Sequence, residues 1–157
     1  MPLDHFDLLA PLYDRIIQYN NSEKLIELVE LPSQGRILDA GGGTGRVAQW
    51  LNVNLSSIIV VDLSFAMLRQ ALNKKGLPSV CSKTESLPFD NNSFDRIVMV
   101  DALHHVYDQN LTAQEMWRLV KPGGRIIIEE LNIKVLSVKL IALFEKLALM
   151  RSKFLPP

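Results

Sequence analysis

The chain has little of several things, and each shortage excludes something. A single cysteine, Cys81, means that no disulfide can close within the chain, and the thiol content agrees with a reducing compartment. The simplest expectation for Cys81 is a small buried hydrophobe beside the third strand. No charge is in excess: 17 Lys and Arg balance 17 Asp and Glu, so no global field favours nucleic acid or an anionic membrane. The first residues, Met1 to His5, have neither the basic region nor the apolar stretch of a secretory signal. The most apolar segment, 135–150, is broken by Lys139, Glu145 and Lys146 well short of the ~20 residues of a membrane span. Only three histidines occur, and the adjacent pair His104-His105 points apart with no evident third ligand, so no metal site is expected. What is left is a globular chain of 157 residues, 48% apolar, expected in the cytoplasm and long enough for one domain with a real core.

What the chain does have is a concentrated glycine signal. Ile37-Leu38-Asp39-Ala40 reads as a short buried strand ending beside an acid, and glycines follow at 41, 42, 43 and 45. Such a turn lets the backbone bend sharply and lets a ligand approach with no Cβ in the way. Strand, glycine-rich turn and helix form the entry unit of a doubly wound nucleotide-binding sheet. Two versions of that unit are excluded. A P-loop needs lysine before its final hydroxyl residue, and a dinucleotide fingerprint needs glycine or alanine where Arg46 stands. Asp39, Gly41, Gly43 and Gly45 instead fill D-x-G-x-G-x-G, which resembles motif I of the class I S-adenosylmethionine-dependent methyltransferases.

Later features keep that family's order. Ile58-Ile59-Val60-Val61-Asp62 is a second β-branched run ending in an acid, about 20 residues on, where a carboxylate suits a ribose diol. Ser64 is the expected N-cap of the next helix. Leu87-Pro88-Phe89-Asp90, Ala102-Leu103-His104-His105-Val106 and Leu119-Val120-Lys121-Pro122-Gly123-Gly124 are similar to signatures of the type 11 subfamily, which includes the ubiquinone and menaquinone biosynthesis methyltransferases. The resemblance spans about residues 6–130.

The resemblance implies S-adenosyl-L-methionine as cofactor, leaving as S-adenosyl-L-homocysteine, and a small, lipophilic methyl acceptor. Gly41, Gly43 and Gly45 would lie against the methionine part, whose carboxylate would meet the N-terminus of the following helix. Asp39 has two readings, tying down the turn or taking the cofactor ammonium through water. Asp62 would accept the ribose hydroxyls, and Leu63 and Met67 would sandwich the adenine. Lys83 departs from the pattern, since the family places an acid there; Thr84 and Glu85 remain as adenine partners. Asp101, Ala102 and His105 would close the far side of the crevice, with His105 first and Asp101 second as general base. Tyr13, with Phe6, would form a lid.

The apolar periods predict an α/β chain with strands at 36–40, 57–62, near 80, 94–101 and 125–130, and helices at 6–19, 22–30, 45–51, 64–75, 112–119 and 134–150. Right-handed connections then give a Rossmann-like open sheet of order 3-2-1-4-5 with helices on both faces. We expect one domain: a helical lid over 1–32, a core over 33–131 and an apolar helix over 132–157. Strands 6 and 7 of the family have no counterpart in the sequence, which would leave strand 5 as a bare edge beside an apolar helix. A truncated product or a homodimer through that surface is the expectation. A cofactor-binding module without catalysis is the competing function.

Overall fold

The computed structural model describes residues 22–30, 35–51 and 58–130. The expected lid with Tyr13 and Phe6, the region around Pro32, and the 132–157 helix with its dimer surface lie outside them.

In chain order the elements are α1 (Ser22–Val29), β1 (Ile37–Ala40), α2 (Arg46–Trp50), β2 (Ile58–Asp62), α3 (Phe65–Lys75), β3 (Ser79–Cys81), β4 (Phe94–Val100), one turn of 3-10 helix (Leu103–His105), α4 (Gln109–Leu119) and β5 (Val120–Glu129). The strands form one parallel sheet of order β3-β2-β1-β4-β5, as the sequence predicts. Leu38 pairs with Ile59 on one side and Ile97 on the other, so β1 is central. Alternating residues feed two cores. Ile37, Ile58, Val60 and Val98 pack with Leu25 and Val29 of α1, Val47 and Ala48 of α2, and Leu68 and Ala71 of α3. Leu38, Val61, Ile97 and Met99 pack on the opposite face with Met116 and Leu119 of α4. Both faces of the sheet are therefore covered, which is why its strands read as continuous apolar runs. Each fully buried aliphatic side chain contributes about 1.5–3 kcal/mol.

Caps explain where the helices start and stop. Ser64 accepts from Met67 N at 3.2 Å, and Gly76, at φ 63°, ends α3 by donating to Leu72 O at 2.8 Å. Asp108 caps α4 by accepting from Asn110 N and Leu111 N, so α4 begins at Gln109, earlier than the apolar period predicts. Arg96 ties α1 to β4 through Val29 O and Glu30 O, at 2.6 and 2.8 Å.

Two further expectations need correction. β5 starts at Val120, five residues before the predicted Arg125. Val120 pairs with Phe94 and Arg125 with Arg96, so the segment between them bulges out of register. Gly123, at φ 78°, takes the bend, and a Cβ on Gly124 would meet Asp95 O and Lys121 O at 2.9 Å. Cys81 is exposed rather than buried, because β3 is a three-residue edge strand; its thiol reaches Leu63 O at 3.4 Å.

Candidate functional site

The carboxyl ends of β1, β2 and β4 meet where the strand order reverses, the place where open α/β sheets bind ligands. The glycine turn there is pinned from below. Gly41 N and Gly42 N both donate to Val61 O, at 2.8 and 3.0 Å, and Gly45 N donates to Gly42 O. Its glycines serve different purposes. A Cβ on Gly41 would sit 2.6 Å from Ala102 Cβ, and one on Gly45 would sit 2.5 Å from Leu77 Cδ1. Gly42 packs against Asp39, whose carboxyl atoms would lie 2.5–2.8 Å from any Cβ. Gly43, at φ 55°, is the open one: among the described residues only Asp62 Oδ2 comes within 4 Å of a Cβ built there, at 3.8 Å.

Asp62 and Asp39 close adjacent strands in opposite states. Asp62 accepts from Gly43 N at 2.9 Å and from Ser64 N at 2.8 Å, so its carboxylate sits against the open face of the glycine turn. Asp39 is 1% exposed, and neither of its oxygens has a hydrogen-bond partner among the described residues. Burial pushes its pKa up to about 7; the nearby Ala48 N–H, outside hydrogen-bond geometry, and the Arg46 charge pull the other way, and Asp62 adds to the rise.

Across the crevice, β4 ends in Asp101, held at φ 51° in the left-handed region by Asp101 N donating to Glu129 O at 2.8 Å. Arg46 reaches over from the first turn of α2, its Nη2 3.3 Å from Asp101 Oδ2. Burial raises the Asp101 pKa, against the pull of Arg46. The following turn hangs from Glu130: Oε1 accepts from Ala102 N at 3.1 Å and Leu103 N at 2.6 Å, while Oε2 meets buried His104 Nδ1 at 2.5 Å. The His104 and His105 rings lie against each other, centroids 4.0 Å apart and tilted by 47°, rather than pointing apart as the sequence led us to expect.

The fold thus brings Asp39, Gly41, Gly43, Asp62, Asp101 and Ala102 to one crevice, with His105 on the turn beyond. The remaining predicted residues stand as follows. Gly45 turns toward α3. Leu63 is 57% exposed after β2, whereas Met67 is buried. Thr84 is buried with its hydroxyl 3.1 Å from that of Thr112. Glu85 Oε1 accepts from Tyr107 N and Asp108 N at 2.6 and 3.0 Å, so this carboxylate fastens the turn before α4. Lys83 is exposed. Sequence reasoning missed Gly42, Arg46, His104 and Glu130. Glu130 comes into view only with the register, which pairs Val100 with Glu129 and so puts the next residue beside the turn after β4. Among the described residues no group of three His, Cys, Asp or Glu is arranged to hold a metal ion, and no helix is long and apolar enough to cross a membrane.

Comparison with known proteins agrees with this architecture. The family described as methyltransferase domain matches residues 38–128, from within β1 to within β5. This chain belongs to the methyltransferase-domain family. The ubiquinone/menaquinone biosynthesis C-methyltransferase UbiE of Geotalea daltonii is 30% identical over 144 residues, covering 81% of this chain and 61% of the relative. Its counterpart from Coxiella burnetii strain Dugway is 35% identical over 142 residues, covering 84% and 57%. The chain therefore spans about six-tenths of the length of these curated relatives. Among solved structures, the S-adenosylmethionine-dependent methyltransferase of Thermotoga maritima superposes with a TM-score of 0.77 over 96% of this chain and 72% of that one, at 24% identity. At that identity the likeness speaks for the fold.

Proposed function

We propose that this chain binds S-adenosylmethionine in the crevice and transfers its methyl group to a small, lipophilic acceptor. An aromatic ring carbon of a quinone precursor is the acceptor suggested by the relatives' C-methyltransferase names. The observation that carries the reading is the open face of Gly43 set against Asp62, beside a buried Asp39 whose oxygens find no close hydrogen-bond partner among the described residues. These residues fit the group. The Asp62 carboxylate, an acceptor at the end of β2 set against the open face of the glycine turn, is of the kind that suits a vicinal diol. A buried carboxylate with no partner is costly unless a cationic or hydrogen-bonding ligand completes it, which suits an ammonium group at Asp39. Leu63 offers an exposed apolar surface at the end of β2 for a base.

When bound, S-adenosylmethionine supplies an electrophilic methyl group on a sulfonium centre. The protein's share is chiefly to hold an acceptor in line with it, since proximity and orientation supply much of the acceleration in such displacements. Transfer to carbon also requires loss of a proton. His105 takes it as general base in this reading, and Asp101, whose burial-raised pKa Arg46 pulls back down, steadies the charge that develops. The acceptor's proton goes to the imidazole and then to solvent.

A titration of S-adenosylhomocysteine into the chain, with NADH as control, tests the donor site; heat from NADH alone would overturn it. Radiolabelled methyl transfer to demethylated quinone precursors tests catalysis. The departure at Lys83 favours the second reading, a binding module. Donor binding without transfer to any acceptor, by a preparation that includes any flanking sequence of the natural product, would decide for it.

A further inference from the structure

We propose that Glu130 is a positioning residue: it sets the turn that follows β4 and, through His104, fixes the ring of His105 at the crevice. The inference rests on the methyltransferase reading only for what His105 then does; the positioning itself is read from geometry.

The chain from Glu130 to His105 is short. Register places Glu129 opposite Val100, so Glu130 leaves β5 level with the residues that leave β4. There, one carboxylate oxygen takes two successive main-chain N–H groups, Ala102 and Leu103, and the other takes the His104 ring. Ala102 O in turn accepts from His105 N at 3.0 Å, which closes the 3-10 turn Leu103–His105. His104 is 2% exposed and its ring lies on that of His105 at 4.0 Å, tilted by 47°. The plane of His105 is therefore bounded on one side by a ring whose own direction Glu130 decides. An ionised carboxylate only accepts, so His104 carries its proton on Nδ1. Arg46, Asp101 and Glu129 also face this cluster; Asp101 is engaged with Arg46, and the main chain of Glu129 holds Asp101 N. None of them replaces Glu130 at the two N–H groups.

This arrangement gives Glu130→Gln a sharp signature. The amide oxygen stays on the Ala102 and Leu103 N–H groups, because the amide nitrogen cannot accept from them. That orientation turns an N–H donor toward His104 Nδ1 and forces the ring into the other tautomer. Glu130→Ala removes both effects.

Imidazole nitrogen-15 NMR on the intact chain can read this, since only three histidines are present and His105→Gln assigns its own signal. The expected result is a tautomer exchange at His104 in Glu130→Gln with amide protection at 102 and 103 retained. In Glu130→Ala, hydrogen exchange at those amides should speed at least about tenfold and the His105 ring signals should move, while Val98 in β4 is unchanged. With a demethylated quinone precursor as acceptor, kcat should fall on the order of 100-fold in Glu130→Ala with KM little altered, and Glu130→Gln should recover part of it. If Glu130→Ala does not fold, the tautomer readout in Glu130→Gln decides alone. An unchanged His104 tautomer there, or unmoved His105 signals in Glu130→Ala, would overturn the proposal. Failure of S-adenosylhomocysteine to bind the unaltered chain would sink the methyltransferase reading and leave these NMR outcomes standing.

Discussion

The two banks of the crevice are built from different material. Between β1 and β2 the turn is held mainly through its main chain: Gly41 and Gly42 donate to Val61 O, while Gly43 N and Ser64 N donate to the Asp62 carboxylate. Beyond β4 side chains do the fixing, with Arg46 on Asp101 and Glu130 on Ala102, Leu103 and His104. The main-chain bank is set chiefly by backbone angles and tolerates few side chains, with the Asp62 carboxylate as an ionisable anchor. A side-chain bank depends on ionisation and can be retuned by one substitution. The contrast suits a site whose donor half stays constant while its acceptor half varies.

Asp39 is the exception on the main-chain bank, and the largest expected effect belongs to it. With its pKa raised to about 7, the folded chain keeps a proton that the unfolded chain has already released. The raised value means that the Asp39 contribution is fully present below about pH 4, is lost as pH rises toward 7, and stays lost above it. In Asp39→Asn that dependence disappears. The difference in unfolding free energy between variant and parent should shift in the variant's favour by up to about 4 kcal/mol between about pH 4 and about pH 8, read by urea denaturation. Parallel curves would show that Asp39 ionises normally.

The next effect separates packing glycines from the open one. Gly45→Ala meets Leu77 and Ala71 at 2.5 and 3.1 Å on top of its left-handed φ, and should cost about 3 kcal/mol of stability. Gly43→Ala carries the backbone strain alone, about 1–2 kcal/mol, yet is the variant that should weaken S-adenosylhomocysteine. Equal stability losses in the two would blur the distinction.

On the side-chain bank, Arg46→Gln removes the cation that opposes the raised pKa of Asp101. The acidic limb of the pH–rate profile should then move to higher pH; an unmoved acidic limb with an alkaline limb moved up would mean that Asp101 works in its protonated form. The smallest effect is at Lys83, where Lys83→Asp restores an acceptor near the expected adenine position. It should tighten S-adenosylhomocysteine by about 0.5–1 kcal/mol in calorimetry, and weaker or constant binding would place the base elsewhere.

The same division governs what could be read before the structure was known. Strand order, the glycine turn and Asp62 are legible because they follow local rules: β-branched runs, positive φ, an acid at a strand end. Asp108 escaped because Asp-Gln-Asn reads as loop until its side chain is seen capping α4. The start of β5 escaped because Lys121-Pro122-Gly123-Gly124 looks like a break, whereas the sheet bulges around it. Cys81 was misjudged because a three-residue edge strand buries less than its composition suggests. Glu130 and Arg46 were missed for a deeper reason. Each acts on a partner far along the chain, Glu130 on Ala102 and Arg46 on Asp101, and no local pattern encodes such pairs.

The claim at the centre of this account is that the main-chain bank binds S-adenosylmethionine with Asp62 on the ribose. Calorimetric titration of S-adenosylhomocysteine into the chain and its Asp62→Ala variant tests it most directly. One saturable site is expected, weakened in the variant by about 1.5–3 kcal/mol, the worth of charge-assisted hydrogen bonds. No binding by the unaltered chain, or equal affinity in the two, would contradict it.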